Sequence, residues 1–176
     1  ITPLINAVLS GNLNIVDTLL KAGADIDVRD SNGGTLLHRV SGAGKDNNVF
    51  KSNEVSIESG PDFSGVLRLL ISSGVSLLTS DNEGNTALHV AVLSGFVNGV
   101  KILVEAGTPV DAKNSYGRTP LMEAVVGKHR NIIEFLVNRG ASLVDMDDAG
   151  YNAIKLATEN MDDDLVSYLE SYNPDE

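Results

Sequence analysis

The chain has 176 residues, 42% of them hydrophobic, and a formal net charge of −11. The absence of cysteine excludes disulfides and thiolate metal sites, and no apolar run approaches the length of a membrane span. The stretch from Glu159 to Glu176, with seven acids and no Lys or Arg, is ill suited to a phosphate backbone, which needs clustered cations.

In chain order, the first element is a short helix announced by Thr2-Pro3-Leu4, with the threonine as N-cap and the proline at the first helical position. Gly11 stands where a left-handed helix end is expected. A second helix follows, with Ile15-Val16 and Leu19-Leu20 on one stripe, and Gly23-Ala24-Asp25 closes it. The next segment opens on a polar turn, Asp30-Ser31-Asn32-Gly33, then Thr35-Leu36-Leu37-His38, with Gly44 as the expected left-handed end. Residues Lys45 to Pro61 are polar, with Asn, Ser, Gly and Pro punctuation, and read as a loop inserted between two helices. That loop is either neutral, or a partner-binding or self-docking element. Ser59-Gly60-Pro61-Asp62 starts the second helix, which runs through Ile71.

Asp81-Asn82-Glu83-Gly84, Thr86-Ala87-Leu88-His89, Gly95, and Val100 with Leu103-Val104 repeat the same order, as do Asn114-Ser115-Tyr116-Gly117, Thr119-Pro120-Leu121, and Ile132-Ile133 with Leu136-Val137. A last, degenerate copy runs from Asp147-Asp148-Ala149-Gly150 through Asn152-Ala153-Ile154. It replaces the helix-ending glycine by Met161 and opens its second helix on Asp162-Asp163-Asp164, acids that suit a helix dipole. Ala7, Ala91, Ala124 and Ala157 are small where neighbouring helices must approach closely.

The spacing is regular. Thr2 to Thr35 and Thr86 to Thr119 are each 33 residues, and Thr35 to Thr86 is 51, or 33 plus an insertion of 18. Gly23, Gly74, Gly107 and Gly140 step by 51, 33 and 33. Two independent markers sharing one period and one jump identify a stacked-repeat solenoid. Each turn-plus-two-helix unit buries its apolar stripe only against its neighbours.

The pattern D-x-x-G-x-T-P-L-H-x-A, then G, then I-V-x-x-L-L-x-x-G-A, resembles the ankyrin repeat family. Residues 114–145 and 81–113 match it best, and the resemblance covers nearly the whole chain. It implies an all-α solenoid of about five helix-turn-helix units with short β-hairpin-like turns between them. The units are expected at about 1–29, 30–80, 81–113, 114–146 and 147–172, with the insertion of 18 residues in the second. The apolar first helix suggests a fragment of a longer protein, and the acidic last unit reads as a C-terminal cap. The resemblance also implies that His38 and His89 tie neighbouring turns by hydrogen bonds; His129 is expected to be structural too. Gly99 falls where Ile15, Val66, Ile132 and Leu165 are expected to face the core. The slot reads either as underfilled, the favoured reading, or as a place of close approach.

In that architecture the turn tips and the exposed edge of the first helices line a concave groove. The candidate contact positions are Asn82, Glu83, Asn85, Leu93, Ser115, Tyr116, Arg118, Val126, Asp148 and Tyr151, with Ser31, Asn32, Gly34, Ser94 and Ala149 beside them. Tyr and Arg are the types that dominate interface energetics. No histidines fall at metal-ligand spacing, and Asp162-Asp163-Asp164 lacks the glycine and terminal Glu of a calcium loop. Gly33-Gly34 lacks the Lys-Ser/Thr of a phosphate loop. No catalytic residue, metal or cofactor is therefore expected.

The expected function is a non-enzymatic protein-protein interaction module, monomeric, that binds a protein or peptide through the groove, with no nucleic acid and no membrane insertion. The alternative is a regulatory or structural domain packed within a larger protein, a channel, an enzyme or a chromatin or transcription co-regulator. The family and the lack of a signal-peptide pattern imply an intracellular setting, cytoplasm or nucleus. The charge itself reads as solubility or as a docking surface for a basic partner.

Overall fold

A computed structural model describes residues 2–44 and 61–172. Among them are ten helices: α1 (Pro3–Leu9), α2 (Leu13–Lys21), α3 (Leu36–Ala43), α4 (Phe63–Ser72), α5 (Ala87–Leu93), α6 (Val97–Glu105), α7 (Pro120–Val126), α8 (Arg130–Asn138), α9 (Ala153–Glu159) and α10 (Asp163–Glu170). The odd-numbered helices start on side chains suited to the task. Thr2, Thr86 and Thr119 accept from the N–H three residues on, and Asn152 does the same for α9. Each such bond satisfies a donor the helix cannot. Asn12, Asp62 and Asp162 cap α2, α4 and α10 in the same way.

Each odd helix packs on the even helix that follows it. The odd helices also pack on one another in series, from α1 through α9, and so do α2, α4, α6 and α8. The result is two stacked layers with one continuous core between them. Leu37, Leu67, Leu88, Leu103, Leu121, Ile132 and Leu136 are fully buried in it. α10 and the turn after it close on α8 through Arg130, whose guanidinium carbon lies 4.5 Å from the Tyr168 ring centre, and through the Tyr172 hydroxyl, 3.4 Å from Asn138 Oδ1. None of the helices is long and apolar enough to cross a membrane.

The turns project to one side, with no strand among the described residues; the hairpin character is limited to short pairings. Asp81 N–H donates to the Asn85 carbonyl (2.9 Å), Asn114 to Arg118 (3.0 Å) and Asp147 to Tyr151 (2.9 Å), and Ser80 bridges Thr86.

Four sequence expectations change. Gly44 is extended, at φ −63° and ψ 131°, since α4 begins only at Phe63 and no tight turn joins α3 to it. The left-handed slots are Gly11, Gly95, Lys128 and Met161. The second helix of that unit begins at Phe63, not at Ser59; residues 45–60 lie outside the described set. Ile15 is 49% exposed, since α2 has an even-numbered neighbour on one side only. Gly99 is not underfilled. The Phe96 ring, buried, covers both Gly99 and Gly44, so a β-carbon on either would enter the ring's van der Waals envelope.

Candidate functional site

The turn tips form a connected edge. In every turn the first residue folds its side-chain oxygen over its own backbone. Asp81 Oδ1 accepts from the N–H groups of Glu83 and Asn85, both at 2.9 Å. Asn114 Oδ1 accepts from Tyr116 and Arg118, both at 3.0 Å, and Asp147 Oδ1 from Ala149 (3.0 Å) and Tyr151 (2.9 Å). Successive tips then bond to one another: Asn82 N–H to the Asn32 carbonyl (2.9 Å), Ser115 to Glu83 (2.9 Å) and Asp148 to Tyr116 (3.1 Å). The fourth-position glycines Gly33, Gly84 and Gly117 combine positive φ with direct contact against the next tip, so a side chain there is excluded twice.

Two histidines tie this edge to the odd-numbered helices. The Thr35 N–H donates to His38 Nδ1 (3.1 Å), which leaves the ring proton on Nε2 to meet the Asn85 carbonyl at 2.8 Å. His89 repeats the arrangement with Thr86 N–H at 3.2 Å and the Arg118 carbonyl at 3.0 Å. Burial holds the His89 pKa below its ordinary value, against the pull of the Arg118 carbonyl and Asp81. His129 precedes α8, and its ring lies against Gly95 and Gly127.

In the following unit Met122 takes the histidine slot and a side-chain network replaces the tie. Asn114 Nδ2 donates to Asn85 Oδ1 and to Glu123 Oε1, each at 3.1 Å. The Arg118 guanidinium lies between two carboxylates, with Nη1 3.7 Å from Glu123 Oε2 and Nε 3.4 Å from Asp147 Oδ2. Burial opposes ionisation of Asp147, but the Tyr151 and Ala149 N–H groups and Arg118 outweigh it and hold the carboxyl below its ordinary value.

Of the positions expected in the groove, Asn82, Glu83, Leu93, Ser115, Tyr116, Val126, Asp148 and Ala149 are exposed, as are Ser31 and Asn32. Arg118, Tyr151 and Ser94 are half-buried. Tyr151 already carries the Lys155 ammonium, 4.1 Å from its ring centre. Asn85 and Gly34 are buried, which corrects their placement: Asn85 is spent on the network, and Gly34 lies under the Asp30 carboxylate. Three groups that the sequence reading left out, Asn114, Glu123 and Asp147, lie beneath the tips. The available signal was Glu123, an acid in the slot held by Arg39 and Val90 in earlier units, appearing together with Arg118 and the loss of the histidine.

Around Tyr116 these groups open into a cleft of about 380 Å³ lined by Tyr116, Arg118, Glu123, Asp147, Asp148 and Ala149. A second cleft of about 350 Å³ opens near Gly42, between Leu9 and Val90. Gly42, which occupies the slot of Leu9, Leu93 and Val126, lines it.

Serially packed helix pairs with hydrogen-bonded turn tips define a helical repeat solenoid. Residues 55–114 and 108–175 match the family described as "Ankyrin repeats (3 copies)", and residues 2–50 match "Ankyrin repeats (many copies)". The chain belongs to the ankyrin repeat family, whose members generally serve as protein-protein interaction modules. It is 31% identical over 110 residues to the nuclear factor NF-kappa-B p105 subunit of Gallus gallus, a match covering 52% of this chain and 11% of that protein. It is 55% identical over 38 residues to an ankyrin repeat protein of Rickettsia prowazekii (strain Madrid E), covering 22% of this chain and 36% of the relative. The chain thus spans well under two thirds of either relative.

Proposed function

We propose that this chain is a non-enzymatic, intracellular interaction module. It works as a monomer, does not take up nucleic acid, and binds a protein or peptide along the face formed by the turn tips and the odd-numbered helices. Its units are those expected from the period, about 1–29, 30–80, 81–113, 114–146 and 147–172. The observation that carries the reading is a row of large side chains on that face that the fold does not consume: Tyr116 at 58% exposure, Leu93 at 50% and Val126 at 43%. Tyr116 stands on the hydrogen-bonded edge, and Leu93 and Val126 end the packed helices α5 and α7, so little ordering cost accompanies binding. A purified partner should lose more than about 1 kcal/mol of affinity on Tyr116→Ala or Leu93→Ala. The exposed Lys101→Ala on α6 should leave the affinity unchanged in the same titration calorimetry. The reverse ranking moves the site to the even-numbered helices.

The match to p105, of which the chain spans 11%, favours one second reading, a domain packed within a larger protein. In that case Tyr116→Ala alters the stability of the full-length protein and leaves every partner affinity untouched.

A further inference from the structure

We propose, resting on the groove reading above, that the occupant is a basic peptide segment and that one of its arginine or lysine side chains enters the Tyr116 cleft. Three carboxylates, Glu123, Asp147 and Asp148, line that cleft together with a single guanidinium, Arg118. Glu123 and Asp147 are buried, at 7% and 8% exposure, and each has one oxygen held by neutral N–H donors. Glu123 Oε1 accepts from Asn114 at 3.1 Å, and Asp147 Oδ1 accepts from the two backbone N–H groups of Ala149 and Tyr151.

Among the described residues, the other oxygen of each meets Arg118 alone, at 3.7 and 3.4 Å. Charge-assisted N–H···O bonds settle near 2.7–2.9 Å. The chain meets that standard elsewhere, with Arg130–Glu134 at 2.7 Å. Two buried carboxylates that line an open cleft therefore share a single guanidinium, each at a long distance. The two charges are matched by one guanidinium, and a second cation entering the cleft balances them.

The rest of the cleft suits the same ligand. The largely exposed Tyr116 ring forms one wall, and a cation over an aromatic face is attracted by its quadrupole. The fold already shows that preference one unit on, where Lys155 sits over Tyr151. Exposed Asp148 stands at the rim, placed to draw a positive side chain inward. An anionic or neutral segment would face the three carboxylates with only Arg118, already committed, to meet it.

The test is selection of a random linear peptide library on the full chain, followed by fluorescence anisotropy with the winning peptide. Lysine and arginine should be enriched. Glu123→Gln, Asp148→Asn and Tyr116→Ala should each weaken the peptide about tenfold or more, as should Gln in place of its basic residue, while Lys101→Ala leaves it unchanged. Asp148 is exposed, so its variant reports even if Glu123→Gln fails to fold, which a circular dichroism melt would reveal. Peptides without basic enrichment that still depend on Tyr116 overturn this proposal and leave the groove reading standing. Basic peptides indifferent to all three variants overturn it too, since they would be bound elsewhere on the acidic surface. Failure to enrich any peptide counts against both.

Discussion

Phe96 shows how one residue sets the identity of two others. It sits at the N-cap position of α6, where Asn or Asp stands in α2, α4 and α10, and it makes no side-chain cap bond. Its ring folds over the first turn of its own helix and reaches across to Gly44. The apolar volume that Ile132 supplies to its unit is here supplied from three residues upstream. Gly99→Ala adds a β-carbon inside that ring's envelope, and the buried ring also lies against Gly44. The gain of about 1 kcal/mol in helix propensity is then outweighed by overpacking, and the variant should be less stable by about 1–3 kcal/mol. Urea denaturation of variant and parent decides the sign; a stabilised Gly99→Ala would mean that the ring moves aside at no cost.

At the scale of elements, the connection between paired helices repeats one backbone geometry with different residues. Gly11 and Gly95 adopt φ of 64° and 68°, and Lys128 and Met161 adopt 56° and 54° in the equivalent place. A side chain in that region costs about 1–2 kcal/mol. Met161 is 89% exposed and loses no packing when removed. Met161→Gly should therefore raise stability by about 1 kcal/mol, the gain being reduced by the added freedom of the unfolded chain; thermal melts of the two proteins measure it. Between α3 and α4 the described ends of the connection are each held in place. Gly44 lies under Phe96, and the Asp62 N–H donates to the Gly11 carbonyl at 2.9 Å. Replacing Lys45 to Glu58 by a short Gly/Ser link should leave the helical circular dichroism and a cooperative melt intact. Loss of the cooperative transition would show that the insertion contributes to the core.

For the whole molecule, the joints between units carry titratable groups, so stability should depend on pH. The folded-state pKa of His89 lies below its ordinary 6.5. The unfolded chain therefore takes up that proton first on acidification. The contribution of a neutral His89 is complete above pH 6.5 and declines as the pH falls towards the folded-state value. Asp147 is also depressed, from 3.8, so its contribution is present above that pH and is lost as the pH falls through its folded-state value. Both act in the same direction. Melting temperature should be level above neutrality, fall in a first step below about pH 6.5 and in a second below about pH 4. The first step should shrink in His89→Leu, whatever that variant's overall stability. A first step of full size in His89→Leu would assign it to other groups.

The repeat architecture was legible because its causes are local and recur. A side-chain cap, a turn glycine and an apolar stripe each act within a few residues, and the period of 33 multiplies a weak signal into a firm one. The histidine ties were legible for the same reason, being carried by a motif. Packing across units was not. Whether Asn85 faces solvent or Asn114, whether Gly99 is empty or covered by Phe96, and whether Arg118 is free or held between Glu123 and Asp147 all depend on side chains brought together from different turns and helices. Sequence period places residues in equivalent slots, but equivalent slots differ once each meets a different neighbour. Hence the face that offers Tyr116, Leu93 and Val126 follows from the order of residues along the chain, while the charge, depth and satisfaction of the cleft beside Tyr116 were decided only by the stacking of one unit on the next.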